Sequence, residues 1–262
     1  MNVPNIRPKA PDEAPVLDGR TAIVGAMAEE LAPLASRGRI QRKLNLGACR
    51  VQVGTLGNAE VVLGCTGEGR LLAEQGLRAL LDAFPVRRVI VVGVAGGLSP
   101  RLAPGTVIVA REIRSDGGAP PPPDGPLREC ASRFPAALEG TVVTLQTILC
   151  TAESKAAAWE DIGRSAPAVV DLESAVYAGV AAEVGVPYLV LRAVCDPAEE
   201  SLPVDLNECR DELGRVNRVE VFQRAMLSPS IVRSLLDLRG RVAVSANNVA
   251  NLVDALLNRR IR

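Results

Sequence analysis

Two carboxylates two residues apart, Asp171 and Glu173 in VVDLESA, and a third, Asp196 in LRAVCDP, are the groups in this chain best placed to do chemistry. With no histidine in 262 residues, proton transfer near neutral pH falls to acids of this kind. Asp171 and Glu173 follow an apolar run, where a strand hands over to a helix. Residues i and i+2 of an extended segment share a face, so both carboxylates could enter one cavity. An ionised carboxylate only accepts hydrogen bonds and can take both hydroxyl protons of a sugar diol. The competing reading is a pair of acids at a helix amino end, favoured by the macrodipole. Asp196 closes an apolar strand and precedes Pro197, which biases it away from helix. Desolvation at a buried strand end favours the neutral, proton-donating form of an acid. An Asx turn or helix cap would use the same residue.

Two glycine clusters could bring backbone N–H groups to a ligand: Gly93, Gly96 and Gly97 in GVAGG, and Gly67 and Gly69 beside Arg70 in TGEGR. Neither has the G-x-G-x-x-G spacing of a dinucleotide-binding fingerprint, which disfavours an NAD-dependent enzyme, and no Lys-Ser/Thr follows as a P-loop requires. Ordinary tight turns would use the same glycines.

The elements that must position these groups follow from the hydrophobic pattern. The chain is 48% hydrophobic but 2% aromatic, so its core is aliphatic, as suits strands covered by helices on both faces. Short apolar runs at TAIV, VIVV, GTVIVAREI, GTVVTLQTIL and VPYLVLRAV read as strands, and CRVQVGTLGNAEVVLGC as two strands meeting at Gly57-Asn58. Helices are expected to open with Glu29 and Glu30, and to run from Leu71 to Phe84 and from Ser174 to Val184. The stripe Val249, Leu252, Val253, Leu256 and Leu257 marks a closing amphipathic helix. Alternating strands and helices predict an α/β fold with a twisted, mainly parallel central sheet. Residues 1–19, rich in Pro and charge, read as a disordered or extended arm before one domain over 20–262. The segment 116–126, with Pro120 to Pro123, breaks regular structure.

Lys+Arg and Asp+Glu both total 30, so no positive field recruits nucleic acid. Six scattered cysteines without histidine predict neither zinc nor a disulfide framework. No apolar run suits an integral membrane segment, and a cytoplasmic protein is expected.

In order and spacing, IVGAMAEEL, TGEGR, VVGVAGGLSPRLAPGTVIVAREI and VVDLESAVYAGVAAEVGVPYLVLRAVCDPAEE resemble the purine/uridine phosphorylase superfamily. Within it the chain looks most like the 5′-methylthioadenosine/S-adenosylhomocysteine nucleosidases, over about residues 21–205. The resemblance implies a single-domain three-layer α/β/α fold, a homodimer or larger homo-oligomer, and cleavage of the N-glycosidic bond of a purine nucleoside without a cofactor. It implies that Glu173 holds the ribose hydroxyls with Leu172 against the sugar. Asp196 attends the purine at N7, Glu30 orients an attacking water, and Ala95 and Gly96 lie in the turn beside the sugar. Asp171 falls in the same pocket.

Three positions depart from that pattern. Ile148 or Leu149 stands where the nucleosidases have an aromatic residue, Cys195 replaces a serine beside Asp196, and Val94 replaces a serine or threonine. The long tail is similar to that of the hopanoid-associated phosphorylases, which use a lipid-linked adenosyl substrate. A phosphorylase would need inorganic phosphate as co-substrate, with Gly67, Gly69 and Arg70 as candidates to hold it. A nucleoside-binding protein without turnover is the remaining alternative.

Overall fold

The computed structural model of the chain describes residues 19 to 258 apart from 165, 166 and 227. The arm expected over 1–19 lies outside the described residues except for Gly19, as does Leu227 of the MLSPS segment.

Among the described residues nine strands form one sheet. They are β1 (Arg20–Gly25), β2 (Arg39–Leu46), β3 (Cys49–Leu56), β4 (Ala59–Cys65), β5 (Val86–Gly97), β6 (Val107–Ser115), β7 (Ala137–Thr144), β8 (Ala168–Asp171) and β9 (Tyr188–Asp196). Their spatial order is β2-β3-β4-β1-β5-β8-β7-β6-β9, and β9 also pairs back onto β5. That extra pairing curls one end of the sheet into a closed ring of β5, β8, β7, β6 and β9.

Among the described residues seven α-helices accompany it: α1 (Ala28–Arg37), α2 (Arg70–Ala83), α3 (Gly125–Ser132), α4 (Ala152–Asp161), α5 (Ser174–Glu183), α6 (Arg218–Ala225) and α7 (Pro229–Asn258). Successive strand residues face opposite sides, and the central strands use both. In β5, Val89 and Val91 pack under α2 and α5, while Ile90 and Val92 pack under α1 and α7. In β9, Val190 and Val194 join the first core, and Leu189, Leu191 and Ala193 the second. Three layers result, helix on sheet on helix, and near-continuous apolar strands are what two covered faces demand.

The sheet is more mixed than the pattern implied. Pairings β1–β4, β1–β5, β5–β9, β6–β7 and β7–β8 are parallel, whereas β2–β3, β3–β4, β5–β8 and β6–β9 are antiparallel. Ring closure and the two hairpins at Gly47 and Gly57 supply the antiparallel contacts. The strand expected over GTVVTLQTIL ends at Thr144, so Ile148 and Leu149 stand in the following loop. β2 was not anticipated: it lies at the sheet edge, where charge protects unpaired backbone. The closing stripe sits in a helix of 30 residues, with Val249, Leu252, Val253 and Leu256 buried and Leu257 partly so. The proline segment forms no helix or strand up to Asp124, whose carboxylate caps α3 by accepting from Leu127 N–H at 2.9 Å.

Candidate active site

The site begins with strand register. Gly96 of β5 pairs with Val170 of β8 on one side and with Asp196 of β9 on the other. Neighbouring strands lie about 4.8 Å apart, so three distant stretches of sequence end together. A Cβ on Gly96 would stand 3.1 Å from Asp196 Oδ2 and 3.2 Å from Val170 Cγ1. The β5–β9 register shifts between Ala95 and Gly96, which passes over Cys195 and re-aims Asp196, as bulges do.

On the β8 side, acids gather around one arginine. Asp171 ends β8, accepts from the Thr144 hydroxyl at 2.7 Å and from Ser174 N–H at 3.2 Å, and pairs with Arg192 at 2.7 Å. It therefore serves the helix entry and the arginine, as the local reading of this acid allowed. Glu173 is not on an extended segment with it; at φ −129°, ψ −19° it is the amino cap residue of α5. Its Oε1 accepts from Gly69 N–H at 2.8 Å, a contact that Gly69 offers from φ +94°, where side chains are strained. Glu30, in the first turn of α1, accepts from Met27 N–H at 2.9 Å and from Val94 N–H at 3.0 Å. Arg192, 1% exposed, reaches Glu30 at 3.8 Å and donates to Ser174 Oγ at 3.0 Å. Gly93 makes room for this: a Cβ there would stand 1.8 Å from Arg192 Nη1 and 2.5 Å from Glu30 Oε1.

The charges are unequal, three acids to one guanidinium. Burial, then the neighbouring Asp171, pushes the Glu173 carboxyl up to about 7, with Arg192 and the Gly69 N–H offsetting part of it. Burial also raises Glu30, against the opposing pull of Arg192 and its N–H partners. Desolvation opposes the charge on Arg192, yet Asp171, Glu30 and Glu173 together hold it above the usual range.

On the β9 side the arrangement is one to one. Asp196 Oδ2 meets Nζ of Lys155 at 2.5 Å, and Oδ1 accepts from the Cys195 thiol at 2.9 Å. Burial, then the Asp196 charge, holds that thiol well above its ordinary pKa.

The other sequence candidates take supporting positions. Val94 offers its N–H to Glu30, and the Ala95 carbonyl faces Cys195. Ile148 exchanges backbone hydrogen bonds with the Asn207 side chain, and Leu149 packs against the cluster of Leu98, Val143, Ala168 and Val170. Leu172 lies beside Gly69 and Arg70 along a shallow cavity. Arg70 is not presented as a free cation, since it pairs with Asp116 at 2.6 Å. Gly67 instead borders a cavity of about 610 Å³ lined also by Met27, Arg50, Arg215 and Arg218. Among the described residues no group of three or more His, Cys, Asp or Glu could hold a metal ion, and no helix is long and apolar enough to cross a membrane.

Two members of the site escaped sequence reasoning. Arg192 carried a signal, a charge inside the apolar run YLVLRAV, which burial would tolerate only with partners. Lys155, in the Ala-rich stretch AESKAAAWED, carried none.

A three-layer α/β/α fold with buried carboxylates at the strand ends defines a class of ligand-binding α/β proteins. Residues 20–227 match the model of the phosphorylase superfamily, and the chain belongs to that family. It is 30% identical to the 5′-methylthioadenosine/S-adenosylhomocysteine nucleosidase of Geobacillus thermodenitrificans, over 72% of this chain and 89% of that one. In fold it matches the Helicobacter pylori nucleosidase of the same name at TM-score 0.72 and 20% identity, over 92% and 98% of the two chains. The futalosine hydrolase of Helicobacter pylori fits comparably, at TM-score 0.71 and 20% identity over 92% and 97%.

Proposed function

We propose that this chain hydrolyses the N-glycosidic bond of a purine nucleoside and releases the free base. The observation that carries the reading is the register around Gly96, which brings Asp196 and the segment leading to Glu173 to one place. Breaking the C1′–N9 bond sends its electron pair to the base and leaves an oxocarbenium-like sugar. Fixed carboxylates stabilise such a cation. In this scheme Glu173 accepts from the ribose hydroxyls, and its contact with Gly69 N–H leaves Oε2 for them. Asp196 meets the base at N7 and stabilises the proton taken up there, which balances the one lost by the water that bonds to C1′. Glu30, buried 64 residues from Val94 in sequence but bonded to it, orients the attacking water. Asp171 holds Arg192 and stays off the ligand. The similarity to a methylthioadenosine nucleosidase supports an adenosine-type substrate carrying a 5′ substituent. The chain works without a cofactor, as a cytoplasmic homodimer or larger homo-oligomer.

Phosphorolysis is a second reading, favoured by Arg50 along the cavity beside Gly67, where Arg215 and Arg218 are already paired with Asp211 and Glu29. Free base is followed with methylthioadenosine, adenosine, inosine and an alkyl-extended adenosine, with and without phosphate. Release in phosphate-free buffer selects hydrolysis, whereas strict phosphate dependence selects the second reading. Tight binding with no release from any substrate would refute both.

A further inference from the structure

Lys155 has no exposed surface, a rare place for a lysine. It sits in the second turn of α4, which Thr151 opens by capping Ser154 N–H at 3.1 Å. Its ammonium has three protons to donate, and three oxygens stand around it. They are Asp196 Oδ2 at 2.5 Å, Pro197 O at 2.9 Å and Glu200 O at 2.8 Å. Carbonyls satisfy its hydrogen bonds but do not neutralise its charge. The Glu200 carboxylate is committed elsewhere, gripping Arg241 of α7 through both oxygens at 2.5 Å. Asp196 is therefore the counter-ion, and a buried ammonium without one is strongly disfavoured.

We infer that Lys155 is the positioning residue of Asp196, fixing the carboxyl that attends the base. The geometry explains how. Asp196 follows the β5–β9 register shift and is the last residue of its strand, so no later strand residue braces its side chain. One oxygen is pinned by Lys155 and the other faces the Cys195 thiol, so the plane of the carboxyl is set from two sides. The two carbonyls that Lys155 also holds belong to the turn just after Asp196, so one ammonium ties the acid to the backbone that leaves it. Misplacing a reacting group by about 1 Å can cost ~10²-fold in rate. This inference rests on the base-releasing role proposed for Asp196.

The test measures base release and, separately, adenine binding by calorimetry. Lys155→Met is expected to lower kcat about 10²-fold with KM within about threefold, and Lys155→Arg to recover at least tenfold of that loss. Unchanged kcat in Lys155→Met, or no recovery in Lys155→Arg, overturns the inference. The binding arm works even where the wild-type protein releases no base, an outcome that would refute the proposed function alone. Adenine affinity should fall at least tenfold in Lys155→Met, but by less than threefold when the same change is made in Asp196→Asn. An equal loss in both backgrounds would mean that Lys155 supports the fold and does not act through Asp196. The double variant leaves no unpaired buried charge, so it answers the question even if Lys155→Met alone does not fold.

Discussion

The two sides of Gly96 solve the same problem differently. On the β8 side, three acids share one arginine, and burial, then the Asp171 charge, raises the Glu173 carboxyl to about 7. On the β9 side, one acid meets one lysine in a pair without surplus charge. Excess carboxylate suits a site where positive charge develops on a sugar. A balanced, tightly held pair suits a site that must present one oxygen to a base in a set direction. Glu173 and Asp196 are equally buried, both 6% exposed, so the two sides differ in the partners each acid is given: a backbone N–H for one and an ammonium for the other.

Breaking the balanced side should have the largest effect. Asp196→Asn is expected to lower kcat by about 10²- to 10⁴-fold, the range for losing general acid–base help, as read from the rate of base release. Retained turnover would remove Asp196 from the chemistry. Breaking the unbalanced side at its cation comes next. Arg192→Met leaves Asp171, Glu30 and Glu173 without their counter-charge and should destabilise the fold by about 3–5 kcal/mol in denaturant unfolding. A midpoint equal to wild type would mean that the acids shed their charge by protonation without harm.

Gly93→Ala sharpens the same side by steric means. The added methyl would overlap Arg192 Nη1, so a cost of roughly 1–3 kcal/mol is expected from overpacking, accompanied by weaker substrate binding. The smallest effect is in pH. Because the folded Glu173 carboxyl titrates near 7 and its ordinary value is 4.5, the folded state holds an extra proton between them. The stability this contributes is fully present below pH 4.5 and is lost as pH rises through 7. Sugar binding runs the opposite way, since only the ionised form accepts both hydroxyls: KM should rise as pH falls below about 7. Glu173→Gln should weaken binding and flatten both dependences, and a wild-type KM independent of pH would contradict the assignment.

Most of the architecture was legible because covered strands leave a plain signature. The Val and Ile runs, the Gly57-Asn58 turn and the closing stripe each depend on neighbours close in sequence. What was misread had a local reason. GTVVTLQTIL keeps apolar residues past Thr144, but its neighbour β8 ends at Asp171, so Leu145 N–H to Asp171 O at 2.9 Å is the last rung before the chain leaves the sheet. Asp171 and Glu173 looked alike in sequence, and only the helix starting between them and Ala175 sends one to Arg192 and the other to Gly69.

By itself the sequence determined that the protein is a histidine-free α/β chain with acids where apolar runs end, because residue types and local periodicity carry that information, whereas the roles proposed for Glu30, Glu173 and Asp196 come from the family resemblance. Which acid has which partner was decided by tertiary structure alone. Lys155 and Asp196 are 41 residues apart and Arg192 and Glu30 farther still. Their pairing arises from strand register and ring closure, which no stretch of neighbouring residues encodes.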